Sequence, residues 1–200
     1  MDPLGKKELL DCYNRHLRDF GDRPGAVRWT PEGQRRRYER MLQVSGDITG
    51  KSILDFGCGK GDFYAFLKEK GIETRYCGID INQNFIALAR SKFPGTEFLA
   101  MDIDEAEMQR EFDVIFICGV FNLRVAGVEE SVKDILLKLS RICREGLHAN
   151  FLSWYVPRRS VDLFYMKPEE ILQFTLDNIS RSVTMRQADE DIFLSIYKSQ

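Results

Sequence analysis

Ile53-Leu54-Asp55-Phe56-Gly57-Cys58-Gly59-Lys60-Gly61 is the stretch that decides the fold: a short apolar strand ending in an acid, then glycines at alternate positions. Glycines at this spacing let the backbone turn sharply at the carboxyl end of a strand and approach a ligand closely before a helix begins. A nucleotide-like cofactor is expected there. A dinucleotide fold would continue G-x-G-x-x-G with Gly or Ala at position 62, where this chain has Asp62, so no pyrophosphate cradle of the usual kind is expected. The phosphate loop G-x-x-x-x-G-K-[ST] is absent.

Working outward, Arg75-Tyr76-Cys77-Gly78-Ile79-Asp80 reads as a second strand. Its terminal Asp80 follows Gly61 by 19 residues, about the separation at which an acid ending the second strand reaches ribose hydroxyls. Phe98-Leu99-Ala100-Met101-Asp102 ends the same way, and Phe112–Cys118 opens with Asp113 and runs into Gly119-Val120-Phe121-Asn122. In an open α/β sheet ligands collect at the carboxyl ends of strands, so the terminal acids are expected along one rim.

The remaining elements follow from period and punctuation. Leu10, Tyr13, Leu17 and Phe20 recur at helical spacing until Gly21–Gly25 breaks the pattern, and Thr30-Pro31-Glu32 reads as a cap opening a second helix to about Val44. Further helices are expected at Asp62–Lys70 and at Gln83–Lys92, the latter capped by Asn82. Strand and helix alternate, which implies a parallel sheet. Val128, Val132, Ile135, Leu136, Leu139 and Cys143 form an amphipathic stripe ending at Gly146, and Leu147–Trp154 reads as strand five. Pro168–Asn178 is expected to be a helix, with Ser180–Arg186 and Ile192–Lys198 closing as an antiparallel ribbon.

The order Ile-Leu-Asp-Phe-Gly-Cys-Gly-Lys-Gly, Gly-Ile-Asp80, Met-Asp102, Phe-Asp-Val-Ile-Phe resembles the class I S-adenosylmethionine-dependent methyltransferases, over roughly residues 50–125. The resemblance implies an α/β, Rossmann-like, doubly wound and mostly parallel seven-stranded sheet with an antiparallel last strand, here with two extra N-terminal helices. It implies S-adenosyl-L-methionine as cofactor and S-adenosyl-L-homocysteine as product. It also implies that Asp55 and the loop Gly57, Cys58, Gly59 and Gly61 pass under the methionine part, that Asp80 with Ile81 meets the ribose, and that Asp102 with Ile103 meets the adenine. Cys118 would flank the cofactor.

The acceptor side rests on placement. Gly119–Asn122 follows strand four, where this family sets residues near the transferred methyl, so Phe121 and Asn122 are the expected catalytic contacts, with His148 at the start of strand five as a third. Asn122 could equally be a turn residue and His148 a satisfied strand histidine. Asn150 and Tyr155 near the end of strand five, and Tyr13 and Trp29 from the N-terminal helices, are the expected substrate-binding residues. The sequence (Asn/Asp)-Pro-Pro-(Tyr/Phe), which marks methylation of DNA-base or glutamine amino groups in this family, is missing. Residues 1–46 are expected to form a helical lid or cap and 47–200 the cofactor domain; the alternative is that both N-terminal helices simply pack on the sheet.

Composition agrees with one compact domain: 200 residues, 44% apolar, 30% charged, formal net charge −2. There is no global field for nucleic acid or an anionic membrane surface, and Arg35-Arg36-Arg37 reads as a solvated helix face. Residues 1–40 carry ten Lys/Arg against seven Asp/Glu, and Arg23 and Arg28 raise the idea of an anionic acceptor. Five cysteines with no C-x-x-C spacing fit a reduced cytoplasm, and two distant histidines give no metal site. No signal-peptide run and no membrane span is read. The expected activity is methyl transfer to nitrogen or oxygen of a small molecule by a monomer or homodimer. The alternatives are a nucleic-acid or protein methyltransferase, and a non-catalytic cofactor-binding partner subunit.

Overall fold

The computed structural model describes residues 1–106 and 108–198. Two N-terminal helices, α1 (Pro3–Phe20) and α2 (Pro31–Ser45), flank a short 3-10 turn at Pro24–Val27. Then come β1 (Ser52–Phe56), α3 (Asp62–Glu69), β2 (Arg75–Asp80), α4 (Gln83–Lys92), β3 (Glu97–Ala100), β4 (Phe112–Ile117), α5 (Val128–Arg141), β5 (Cys143–Leu152), α6 (Pro168–Asn178), β6 (Val183–Ala188) and β7 (Asp191–Tyr197).

The seven strands pair in the order β3-β2-β1-β4-β5-β7-β6. The β3-β2-β1-β4-β5 pairs are parallel, whereas β7 runs antiparallel to both neighbours. The chain reverses direction across the sheet between β1 and β4, which is where an open α/β sheet leaves its crevice. The Rossmann-like expectation is met, including the antiparallel last strand.

Local chemistry sets the element ends. Thr30 Oγ1 accepts from the Gly33 amide at 3.1 Å and Pro31 follows at the first helical position, starting α2. Asn82 Oδ1 accepts from the amides of Asn84 and Phe85, starting α4. One expectation fails at the α5–β5 junction. The stripe read as helical to Gly146 ends at Arg141, and β5 begins at Cys143. Cys143 is buried in register with Phe112, so it continues the apolar pattern as a strand residue, and a helical period cannot separate the two.

The core lies on both faces of the sheet. Leu54, Ile79, Ile115 and Ile117 pack with Val132, Leu136 and Leu139 of α5, while Ile53, Val114 and Phe116 pack with Phe63 of α3, Ile86 of α4 and Met41 of α2. The two N-terminal helices behave differently. α2 buries Gly33, Gln34, Arg37, Tyr38 and Met41 against the domain, whereas Gly5 is the only fully buried residue of α1. No helix of the described residues is long and apolar enough to cross a membrane.

Candidate functional site

After β1 the chain turns at Gly57, φ 73°, where the amides of Gly57 and Cys58 both donate to the Ile79 carbonyl of β2 at 2.8 and 3.0 Å. A Cβ at Gly57 would lie 2.4 Å from Val120, so only glycine lets this loop and the turn after β4 approach. The Gly59 amide donates to Asp80 Oδ2 at 2.9 Å, and the Asn82 amide to Asp80 Oδ1 at 2.7 Å. Burial pushes the Asp80 carboxyl up to about 6, with these two amides pulling it back down. The carboxylate is thus fixed with lone pairs to spare at the end of β2.

A cavity opens on this rim. Gly57, Cys58, Gly59, Asp80, Ile81, Asp102 and Ile103 line it, with Cys118, Gly119 and Phe121 beyond β4. Its roof is α1: Lys6, Leu9 and Tyr13 face it. Lys6 reaches Asp102 at 2.5 Å and Asp104 at 3.4 Å. Tyr13 packs edge-on to Phe85, ring centroids 5.8 Å apart, and burial keeps its hydroxyl protonated. Burial likewise pushes the thiols of Cys58 and Cys118 well up, so neither is a thiolate nucleophile.

A second cavity adjoins the first, sharing Tyr13, Val27 and Trp29 with it and adding Asn122, Leu123, Leu152 and Leu163. Trp29 packs on the face of Gly119, φ 72°, where a Cβ would come within 2.0 Å of the indole. Asn122 is 8% exposed, and its Oδ1 has no hydrogen-bond partner. Its backbone is tied down: the Phe164 amide donates to the Asn122 carbonyl at 2.9 Å. Three arginines line this cavity, and each faces a carboxylate: Arg28 with Asp162, Arg36 with Asp189 at 3.4 Å, Arg37 with Asp191 at 2.9 Å. The anionic-acceptor idea drawn from Arg23 and Arg28 therefore fails, because Arg28 is neutralised and Arg23 donates to the carbonyl of Phe20 at the end of α1.

The methyltransferase domain family matches residues 53–146. Over that stretch, just under half of the chain, the sequence matches the methyltransferases, and the fold is that of the class I enzymes. The chain is 29% identical over 140 residues to Rv1506c of Mycobacterium tuberculosis, a protein provisionally assigned to the methyltransferases; the match covers 67% of this chain and 84% of that one. It is 35% identical over 123 residues to the malonyl-[acyl-carrier protein] O-methyltransferase of Acetivibrio thermocellus, covering 59% of this chain and 41% of the relative. The chain thus spans well under two thirds of that enzyme. Among solved structures, the magnesium protoporphyrin IX methyltransferase of Synechocystis PCC 6803 with bound S-adenosylhomocysteine has a TM-score of 0.69 at 15% identity, over 97% of this chain and 100% of that one.

Not every expected site residue faces a cavity. Asp55 is buried beneath the glycine loop, where it accepts from the Tyr76 hydroxyl, and burial pushes its carboxyl up to about 7. Gly61 opens α3 and packs against Phe98 and Phe93. His148 is 1% exposed between Phe116 and Tyr197, with Nδ1 2.8 Å from Ser195 Oγ. That enclosure gives it no reacting partner, so the catalytic expectation is withdrawn. Tyr155 is 59% exposed and donates to Glu169 at 2.7 Å, outside both cavities. Asn150 is fully buried without lining either cavity: Oδ1 accepts from the Gly119 amide at 2.7 Å and Nδ2 donates to Asp191 at 2.9 Å. It positions the turn after β4 and is no substrate contact.

Sequence reasoning missed Lys60, Asn82 and Ser131, all of which line the first cavity. Lys60 is buried and bonded to Asp62 at 2.7 Å and to Asp22 at 3.1 Å, pinning the loop after α1 to the glycine loop. The signal was present as a lysine inside the glycine run. For Ser131 it was a hydroxyl inside an otherwise apolar stripe.

Proposed function

We propose that this chain transfers a methyl group from S-adenosyl-L-methionine to nitrogen or oxygen of a small-molecule acceptor held in the second cavity. The observation that carries this reading is the junction of two cavities at Tyr13, Val27 and Trp29, with Asn122, whose buried Oδ1 has no partner, lining the second.

The residues of the first cavity fit the cofactor. Asp80 offers free lone pairs on a fixed carboxylate, suited to a ribose diol; Gly57 and Gly59 leave backbone where side chains would obstruct; Asp102 supplies an acceptor at the far end for an amino group. Ser131 Oγ, buried without a partner on the same wall, is a polar atom left waiting for a ligand. When bound, the cofactor supplies a methyl group already activated on a positively charged sulfur. What remains for the protein is positioning and exclusion of water, a proximity effect that reaches about 7–11 kcal/mol in favourable cases.

Each role falls to a named group. Tyr13 and Trp29 wall the junction, and Phe121, stacked on Phe151, lines the first cavity. Asn122 Oδ1 accepts a hydrogen bond from the N–H or O–H of the acceptor, turning a lone pair of that atom toward the first cavity. No imidazole lines either cavity among the described residues. A nucleophile that arrives uncharged fits such a site best, since general-base help is then optional. Residues 1–46 act as the cap: α1 roofs the cofactor, α2 carries the charge network of the acceptor wall, and residues 47–200 form the body.

The test is incubation with methyl-labelled cofactor and a panel of small amines, phenols and carboxylates. Transfer to an amine or phenol, reduced about 10–100-fold in kcat/KM by Asn122→Ala at unchanged cofactor affinity, supports the reading. Transfer confined to RNA or protein acceptors, or an unaltered Asn122→Ala enzyme, refutes it.

A further inference from the structure

Five serine or threonine residues lie within the helices: Ser45, Ser91, Ser131, Ser140 and Thr175. Four turn the hydroxyl back onto a carbonyl of their own helix, at Leu42, Leu88, Leu137 and Ile171, over 2.7–3.2 Å. That is the ordinary refuge of a helical hydroxyl, because a buried one without a partner has lost its water for nothing. Ser131 departs from the pattern. Its Oγ is buried with no partner, and the residue is 1% exposed.

Position explains where the hydroxyl is directed. Ser131 sits on the face of α5 that carries Val128, Val132 and Ile135, where an aliphatic side chain would satisfy the core. Instead it lines the first cavity together with Asp102, Ile103 and Ile135. Lys138, two turns further along α5, bonds Asp104 at 2.6 Å and so holds this helix against the loop after β3. Ser131 thus lies on a helix tied to the loop that carries Asp102, and lines the same cavity. Two isoleucines and two polar edge groups make a slot for a flat ring with apolar faces and a hydrogen-bonding rim.

We infer that Ser131 is a specificity-determining contact for the cofactor's adenine, donating its hydroxyl hydrogen to a ring nitrogen while Asp102 accepts from the amino group. The assignment rests on the cofactor reading above and adds a residue that no motif marks. The cavity wall is left incomplete in the free protein, and the ligand completes it.

Calorimetric titration separates the possibilities, using S-adenosylhomocysteine and its 1-, 3- and 7-deaza analogues on the wild type and on Ser131→Ala. The variant is expected to bind S-adenosylhomocysteine about 3–10-fold more weakly, the worth of one net hydrogen bond. One deaza analogue, lacking the partner nitrogen, should bind both proteins equally. Without ligand, Ser131→Ala should melt at the wild-type temperature or above it, since only an orphaned hydroxyl has been removed. Equal affinity of both proteins for S-adenosylhomocysteine overturns the assignment. So does an undiminished loss with all three analogues. A wild type that does not bind S-adenosylhomocysteine brings down the cofactor reading itself, a distinguishable outcome.

Discussion

At the residue scale the site turns on Asp80. Its carboxyl is raised to about 6 by burial, and the amides of Asn82 and Gly59 hold each oxygen in place. A ribose diol donates hydrogen bonds and so favours the ionised form, which means that binding should lower this pKa and release protons. S-adenosylhomocysteine affinity should therefore be constant above about pH 7 and fall below about pH 6, by up to about tenfold per unit. Calorimetry in buffers of different ionisation enthalpy at pH 6 measures the proton release; its absence would place the diol elsewhere.

His148 makes the opposite point. Burial first, and Lys51 second, lower its pKa to about 4, so the folded protein holds it neutral. In the unfolded chain it titrates near 6.5, and protons bound there favour unfolding. The stability tied to this group is present above about pH 6.5 and lost as pH falls toward 4, about 2 kcal/mol by pH 5. His148→Gln should be less stable at pH 7.5, lose less than the wild type on going to pH 5 in urea melts, and keep its turnover per folded molecule. A hundredfold loss of turnover would return His148 to the site. The sequence made Asp80 legible because a strand, a glycine turn and a fixed separation place it. It left Asp55 and His148 ambiguous, since strand alternation tells which way a side chain points and not what fills the layer it enters.

At the scale of elements, the N-terminal helices divide the two roles the sequence left open. α2 packs on the sheet; α1 roofs the cavity and is held by little core of its own. Gly5 is its one fully buried residue, and a Cβ there would fall 2.1 Å from the Ala126 carbonyl oxygen. Gly5→Ala should lift α1 from the domain, lowering S-adenosylhomocysteine affinity at least about tenfold while shifting Tm by only a few degrees. A large drop in Tm with intact affinity would contradict the division. α2 carries a different load through Arg37, which stacks over Trp29 and pairs with the buried Asp191, itself bonded to Asn150. Asp191→Ala strands a buried guanidinium and should cost about 3–5 kcal/mol in chemical denaturation. This network was hidden in the sequence. The run Arg35-Arg36-Arg37 reads as one solvated face, yet Arg35 and Arg36 are exposed and Arg37 is buried, and its partner lies 154 residues away.

At the scale of the whole molecule, the sheet order brings Asp80 and Asp102 to one rim and the turn after β4 beside the glycine loop. That arrangement was legible because β1 to β4 carry local signals in regular alternation. The second cavity was not, since Trp29, Asn122, Leu152 and Leu163 come from four distant segments and meet only through tertiary packing. The most direct measurement is a calorimetric titration of the wild type and of Asp80→Ala with S-adenosylhomocysteine, with NAD as control. One-to-one binding to the wild type, lost by about a hundredfold or more in Asp80→Ala and absent for NAD, is the expected result. No binding of S-adenosylhomocysteine, or equal binding to both proteins, would contradict it.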